Sequence, residues 1–590
     1  MNNSQAQALA QIREIEAAYP GAVLVVTEPV EIKDGLLRID LSLDTSSLEQ
    51  VTDGLTLRSR ERFCILVPKG FPFAKPEVWT HHKRFAGHAH VQWSRYLCLY
   101  QAPDVEWEPS DGMFGFIDRL WKWLKQAAID ELDPFGGAIH PPTTASGVSS
   151  YVVIPRVDAP YVGASPWTGL ARLRKVGEHR VDIVGWAEPY AGQGPYPFGA
   201  AVLLSEPLPW EFPKKAADLV RLLNERGVHK EHLFLILRTA AHETKNGDPL
   251  YLLIGAPMRG VRGSGDLRQH LSAWRIEPEF AQGLRLIAEK YSDDDKIREV
   301  GEQVEQIMFK WAQTADISWC RVLEDRPEIV TRRDHRSPMS LFRGKSVVVW
   351  GCGALGGHVA IHLARAGAER IVLRDNALVT PGVLVRQPYN DADVGHYKAK
   401  ALAEKLRTIR ATDPSFKVVP IVSNVLSTVL DSDDWTDNAD VVFDCTASRG
   451  VRLKLEKIRK EASRASADIV SMIVSREATH GLTVVAAADH TGGPADVYRR
   501  AKIDICQDRS LRHVANAFYP LTSEEDLFQP EPGCSSPTFI GSSADVAALS
   551  ALLLNSAACD LVAVANEQAD PHATAWAHIV IQPHSLAEPK

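Results

Sequence analysis

The stretch that most restricts what this chain can fold into is Lys345–Asp375. Lys345–Trp350 (K-S-V-V-V-W) is a short apolar run rich in valine, suited to a buried parallel strand. It leads directly into Gly351-Cys352-Gly353-Ala354-Leu355-Gly356-Gly357. A helix is predicted through His358–Ala366, stopped by Gly367, and then a strand at Ile371–Arg374 that ends on Asp375. Glycines spaced G-x-G-x-x-G between a strand and a helix mark a phosphate-binding βαβ unit. Gly351, Gly353 and Gly356 let the backbone approach phosphate, the helix N-terminus favours the anion, and Asp375 is placed to accept from a ribose hydroxyl. Taken alone, this motif points to a dinucleotide.

The residues after Asp375 change the ligand. Arg386 and Lys398 follow within a short stretch, in Arg386-Gln387-Pro388-Tyr389 and Gly395-His396-Tyr397-Lys398. Two cations beyond a ribose carboxylate suit a triphosphate, whose developing charge needs positive partners. A nicotinamide site has no such need.

This pattern resembles the ThiF/MoeB-type adenylating fold shared with ubiquitin-activating enzymes, where an Arg-Gln pair and a downstream Gly-x-x-Lys flank ATP. The resemblance implies that Arg386 and Lys398 contact the phosphates, with Gln387 beside them and Asp375 on the ribose. It further implies a strand ending in Asp-Cys-Thr-Asp-Asn, whose second Asp helps to hold magnesium. Here Val441–Phe443 leads into Asp444-Cys445-Thr446-Ala447-Ser448, with Arg452 at the family's offset as a further nucleotide contact. The second carboxylate is absent, so either Asp444 carries the metal role or the geometry is rearranged. ATP and Mg2+ are the implied cofactors.

Eight cysteines, at 64, 98, 320, 352, 445, 506, 534 and 559, form no C-x-x-C pair. That argues against a structural zinc site and against a disulfide framework, and makes a reducing, cytoplasmic setting the default. The resembled family captures its acyl adenylate with a thiolate, a role that suits cysteine. Cys534 sits in Pro530-Glu531-Pro532-Gly533-Cys534-Ser535-Ser536-Pro537, a Pro/Gly-bounded loop ahead of a helix expected to begin near Asp545. It is the candidate thioester cysteine; an incidental loop cysteine is the alternative. Cys352 reads as loop architecture, and Cys445 and Cys559 as buried by apolar neighbours.

Cys98 is the second candidate. Phe71-Pro72-Phe73-Ala74-Lys75-Pro76 precedes His88-Ala89-His90, then Cys98, then Trp107-Glu108-Pro109 and an amphipathic helix with Phe116, Leu120, Leu124 and Ala127 on one face. This order resembles the ubiquitin-conjugating fold over most of residues 1–140. In that family a His-Pro-Asn triplet lies eight residues before the catalytic Cys, and its Asn supports the oxyanion formed when an amine attacks the thioester. His88 falls on the triplet's His and His90 on its Asn. An imidazole can donate a comparable hydrogen bond, so His90 is either a substitute donor or a structural residue. Trp107, Trp121 and Trp123 read as core.

At 590 residues the chain is too long for one core. A hydrophobic fraction of 45% and a charged fraction of 24% are those of an ordinary globular protein, and a net charge of −8 favours neither a nucleic-acid nor a membrane partner. The apolar stretch Val546–Val564 is interrupted by Asn555 and Asp560 and reads as a buried helix rather than a membrane span. Pro141–Ser150 is the linker candidate. Between 151 and 330, strands (Val181–Ala187, Ala200–Leu204, His232–Leu237, Tyr251–Ile254) are expected to alternate with helices (Lys215–Arg226, Ile297–Ala312), without a catalytic signature. The expected class is thus multidomain α/β and α+β. It comprises a ubiquitin-conjugating-like α+β domain at 1–140, an α/β linker domain at 151–330, and a Rossmann-like ThiF-type adenylating domain at 340–590.

Domain order and size resemble the bacterial activating and conjugating fusion enzymes of CBASS antiphage systems. That likeness implies a relay: a protein C-terminus is adenylated, captured on Cys534, passed to Cys98 and transferred to a lysine or other amine. It implies that the activated protein is a cGAS-like nucleotidyltransferase and that the adenylating domains form a homodimer. Arg332-Arg333-Asp334-His335-Arg336 either reaches a partner's ATP site or is a solvated charge run. Competing readings are a sulfur-carrier-type adenylyltransferase with a non-catalytic N-terminal binding domain, an NAD-dependent oxidoreductase, and a binding-only scaffold.

Overall fold

In the computed structural model the chain divides into two units, Met1–Val330 and Thr331–Lys590. The structure describes all residues except 86–87, 89, 93–94, 101, 133–148, 190–195, 207–212, 245–246, 258–268, 291–296, 324, 326–333, 335, 428–434, 462–466, 489–491, 521–539, 567–575 and 582–590. Cys534, Arg332, Arg333 and most of the linker candidate Pro141–Ser150 therefore lie outside the described residues.

The first unit opens with a helix, Asn3–Ala18, whose N-terminus is closed by a reciprocal capping box between Asn2 and Gln5. Five strands follow: β1 (Val23–Val25), β2 (Val30–Glu31), β3 (Leu37–Asp44), β4 (Arg60–Val67) and β5 (Glu77–Thr80). They form an antiparallel sheet in the order β1-β3-β4-β5, with β2 paired to β3. Helix Gly112–Ala128 buries Phe116, Leu120, Leu124 and Ala127, the face its spacing predicts. Trp107 anchors the loop preceding β5, its indole N–H donating to the Pro72 carbonyl at 2.8 Å.

Among the described residues, the remainder of the first unit contains seven more strands: β6 (Val152–Pro155), β7 (Trp167–Lys175), β8 (Arg180–Ala187), β9 (Phe198–Leu203), β10 (Leu250–Pro257), β11 (Gln269–Ile276) and β12 (Trp319–Val322). They close into a barrel in the order β10-β11-β12-β6-β8-β7-β9. Strand β9 is buried along its whole length because both faces are covered. Ala200 and Val202 pack with the outer helices, and Ala201 and Leu203 face the barrel interior. One expectation fails here: His232–Leu237 is not a strand but part of helix Lys230–His242. Leu233, Ile236, Leu237, Ala240 and Ala241 are buried at helical spacing, a period too long for the short apolar run to display.

The second unit is a seven-stranded sheet. Its strands are β13 (Ser346–Trp350), β14 (Arg370–Arg374), β15 (Lys417–Ile421), β16 (Val441–Asp444), β17 (Asp468–Val474), β18 (His480–Ala486) and β19 (Trp576–Ile581). The order is β15-β14-β13-β16-β17-β18-β19, parallel from β15 to β17 and antiparallel beyond. Strand β13 is central, and its alternate residues enter two cores, Val347 and Val349 on one face and Val348 and Trp350 on the other. That double burial is why it reads as one unbroken apolar run.

Helix Ser543–Ala565 is long and apolar enough to cross a membrane by composition, yet it packs against helix Ala354–Arg365 and β18. Leu549, Leu553, Leu554, Ala557 and Leu561 line its buried face. Cys559, expected to be buried, lies on the opposite face and is exposed.

Candidate active sites

Strand β13 has β14 on one side and β16 on the other, and the chain runs outward to β15 before crossing back to β16. The crevice beyond the C-terminal ends of β13 and β16 is thus a topological switch point, where open α/β sheets bind ligands. Gly351 turns the chain there with φ +81°, donating its N–H to the Arg374 carbonyl at 2.9 Å. A Cβ on Gly356 would lie 1.9 Å from the Gly351 carbonyl oxygen, so loop and helix touch backbone to backbone. A Cβ on Gly353 would meet nothing within 4 Å. Gly353 is also the N-cap of helix Ala354–Arg365, so the helix end opens onto unfilled space.

Asp375 fixes this loop. One carboxylate oxygen accepts the Cys352 N–H at 2.7 Å, and the other accepts the Ala377 N–H at 2.7 Å. Each oxygen keeps a second lone pair for a hydroxyl donor. Arg386 and Gln387 sit on the turn after Pro381–Val383, only 7% and 8% exposed. The Gln387 side-chain carbonyl is buried with no hydrogen-bond partner among the described residues. Lys398 opens helix Lys398–Ile409 and donates its backbone N–H to the Ala377 carbonyl at 2.9 Å. Cys352 is fully buried, and its thiol is pushed well above its ordinary pKa by that burial, as loop architecture requires.

Asp444 ends β16, level with Trp350 of β13, and is 3% exposed. Burial raises its pKa, opposed by hydrogen bonds from Thr446 and by the charge of Arg452. One oxygen accepts the Thr446 N–H at 3.1 Å and its hydroxyl at 2.6 Å, while the other has, among the described residues, the Ser471 hydroxyl at 3.5 Å. Ala447 follows in the left-handed region, φ +55°. Arg452 lies in helix Arg449–Glu461, its guanidinium 3.9 Å from the centre of the Tyr498 ring. Among the described residues no group of three His, Cys, Asp or Glu side chains forms a metal site. A magnesium ion here would depend on Asp444 and on phosphate oxygens, a donor set that suits an ion bound through one carboxylate plus substrate phosphates.

Within the first unit, Cys98 comes directly after two bridged residues, Leu97 paired with Val91 and Tyr96 paired with Trp79. Its N–H donates to the His90 carbonyl at 2.8 Å, and His90 itself sits at φ +59°. The Gln92 side-chain amide nitrogen lies 3.6 Å from Sγ. Burial raises the Cys98 pKa, while the Lys75 charge and the Gln92 amide hold it down. The arrangement is a half-buried thiol with an amide donor at the place where a thiolate or an oxyanion would form.

The profile for Prokaryotic E2 family A matches residues 6–155, and that for the ThiF family matches residues 337–553. One chain thus carries a segment similar to prokaryotic E2 domains and, after it, a segment similar to ThiF domains. It is 26% identical over 372 residues to the ATP-dependent ubiquitin transferase-like protein Cap2 of Enterobacter hormaechei, covering 57% of this chain and 58% of that one. It is 30% identical over 219 residues to the uncharacterized protein y4qC of Sinorhizobium fredii, covering 35% of each. The chain thus spans about a third and somewhat over half of these relatives' lengths. Among solved structures, Escherichia coli MccB with ATP matches at 16% identity and a TM-score of 0.27, covering 42% of this chain and 66% of that chain.

The structure brings the expected residues together unevenly. In the ThiF half, Gly351, Gly353, Gly356 and Asp375 form one backbone-tied cluster, and Asp444 lies on the strand flanking it. In the first unit, the His90 carbonyl accepts the Cys98 N–H, and the Gln92 side-chain amide lies 3.6 Å from the Cys98 sulfur. Two residues of these sites were not among the sequence candidates. Gln92 is one, and no residue pattern announces its contact with Cys98. Tyr389 is the other: its hydroxyl donates to the Cys352 carbonyl at 2.6 Å, with the Lys398 carbonyl at 3.2 Å. Its place immediately beyond Arg386-Gln387-Pro388 was the available clue.

Proposed function

We propose that this E2–ThiF fusion is an ATP-dependent protein-conjugating enzyme that activates a protein's C-terminal carboxylate and transfers it to an amine. The observation that carries this reading is the presence on one chain of a ThiF phosphate loop and an E2 thiol with an amide donor on its sulfur. The similarity to Cap2 of Enterobacter hormaechei, an ATP-dependent ubiquitin transferase-like protein, supports it.

In the ThiF half, ATP lies across Gly351–Gly356, with the ribose on Asp375 and the phosphates facing Arg386, Gln387, Lys398 and Arg452. The substrate carboxylate attacks the α-phosphorus, the bond to the β-phosphate oxygen breaks, and pyrophosphate leaves. Magnesium, when bound, supplies charge neutralisation at the phosphates, and Asp444 is the residue to hold it. The Cys534 thiolate then attacks the acyl carbonyl and AMP leaves. Next the Cys98 thiolate displaces Cys534, and finally an amine displaces Cys98, losing a proton as the amide forms. In this reading the Gln92 amide, 3.6 Å from the Cys98 sulfur, supports the oxyanion, and the His90 imidazole is the alternative partner.

The activated protein is proposed to be a cGAS-like nucleotidyltransferase, the acceptor a lysine or other amine, and the setting cytoplasmic antiphage defence by a homodimer. The test is ATP–pyrophosphate exchange by the full chain with that protein's C-terminus, together with mass spectrometry of acyl groups on Cys534 and Cys98. Cys534→Ala should abolish the reducible adduct, and Cys98→Ala should leave acyl on Cys534 and stop amide formation. Absence of any acylated cysteine with ATP present would sink the relay. Product formation undisturbed in Cys98→Ala would instead assign the chain to sulfur-carrier-type adenylation.

A further inference from the structure

Arg452 is held without being neutralised. It lies in the helix that follows Asp444, close enough for its charge to act on that carboxylate. Yet no hydrogen bond joins the two, because the Asp444 oxygens take their donors from Thr446 and Ser471. The guanidinium is stacked on Tyr498 instead, 3.9 Å from the ring centre, and its N–H groups have no acceptor among the described residues. A stacked arginine keeps its in-plane donors, and those donors match phosphate oxygens.

The ring is itself held. Tyr498 lies in helix Pro494–Gln507 and meets Tyr519 edge to face, with centroids 5.7 Å apart at 68°. Lys502 lies 5.1 Å over the Tyr519 ring from the same helix. The two helices are joined by Glu456, whose carboxylate accepts the Asp496 N–H at 3.1 Å. A Cβ on Gly493 would lie 2.3 Å from the same carboxylate, so the approach is close enough to need glycine or a shift of Glu456. Arg452 and Tyr498 therefore face one another from elements tied together at a neighbouring turn.

We propose that Tyr498 is a positioning residue: its ring holds Arg452 with the guanidinium donors directed to a nucleotide phosphate. The proposal deepens the adenylating reading of the ThiF half and rests on it. It assigns Tyr498 no contact with ATP. Its aromatic face matters and its hydroxyl does not.

The test uses the full chain and a fluorescent ATP analogue, mant-ATP, whose binding is followed by titration. Arg452→Ala should weaken binding about tenfold, Tyr498→Ala about three- to tenfold, and Tyr498→Phe less than twofold. In the double variant Arg452→Ala with Tyr498→Ala, binding should match that of Arg452→Ala alone. Full additivity of the two losses, or a loss in Tyr498→Phe equal to that in Tyr498→Ala, would overturn the proposal. A second measurement does not depend on nucleotide. Phenylglyoxal modification of Arg452, read by peptide mass spectrometry, should accelerate in Tyr498→Ala and stay at the parent rate in Tyr498→Phe. An unchanged rate in Tyr498→Ala would show that the ring does not hold Arg452. Failure of the unaltered protein to bind mant-ATP would strike the adenylating reading, while the modification rates would still decide the role of Tyr498.

Discussion

The Tyr389 hydroxyl donates to the Cys352 carbonyl at 2.6 Å and has the Lys398 carbonyl at 3.2 Å, joining the phosphate loop to the helix that Lys398 begins. Tyr389→Phe keeps the ring and removes this tie. Losing a hydrogen bond at a buried hydroxyl costs about 1–2 kcal/mol. The variant should unfold at lower urea, and ATP should bind more weakly because loop and Lys398 are no longer fixed together. Unchanged urea unfolding and unchanged ATP affinity would show that the tie carries neither load.

Gln92→Ala tests the donor at the E2 thiol. The Gln92 amide lowers the Cys98 pKa and burial raises it, so removing the amide moves the thiol further up. At any pH below that value the thiolate fraction falls. The alkylation profile of the Cys98 peptide with iodoacetamide should shift to higher pH, and discharge of a Cys98 thioester should slow about tenfold or more. If the donor is His90 instead, His90→Ala will slow discharge and Gln92→Ala will leave the alkylation profile in place.

Ala447 occupies the left-handed region at φ +55° on an exposed turn beside Asp444. Asp tolerates that conformation better than Ala, so Ala447→Asp should change stability by no more than about 0.5 kcal/mol. The added carboxylate supplies a second hard oxygen donor. The Mg2+ concentration giving half-maximal pyrophosphate exchange should fall several-fold. A rise in that concentration would mean that the turn does not face the metal.

Asp444→Asn separates stability from function. Burial holds the Asp444 carboxyl above its ordinary value, so the fold favours its neutral form. That contribution is complete below the unfolded-state pKa of about 3.9 and is lost as pH rises through the folded value. The amide variant escapes the loss. Relative to the parent it should gain stability as pH rises above about 4 in urea titrations. Pyrophosphate exchange should fall about 100-fold over the same range. A variant that loses stability as pH rises would show that the carboxylate is better satisfied than its burial implies.

What the sequence made legible follows from which contacts are local. Strand β13 and the Gly351–Gly356 loop declare themselves because a strand covered on both faces reads as an unbroken apolar run and the glycines enforce a turn. The helix Gly112–Ala128 is equally plain, since Phe116, Leu120, Leu124 and Ala127 repeat its period. His232–Leu237 misleads because six apolar-dominated residues display neither period. Barrel closure is invisible for a different reason: it depends on β9 pairing with β10 and β12 with β6, registers set across long separations. Gln92 is hidden too, because no residue pattern announces a side-chain contact with Cys98. Cys534 lies outside the described residues, so its loop is known from sequence alone.

The closed barrel of β6 to β12 has a consequence for how this region can recognise anything. A sheet with free margins can lengthen by annealing an extended peptide along its rim, whatever that peptide's side chains. A barrel spends those main-chain groups on its own first and last strands. Recognition in this part of the chain must then be written in side chains and loop shape, which makes it selective for sequence rather than for any passing strand.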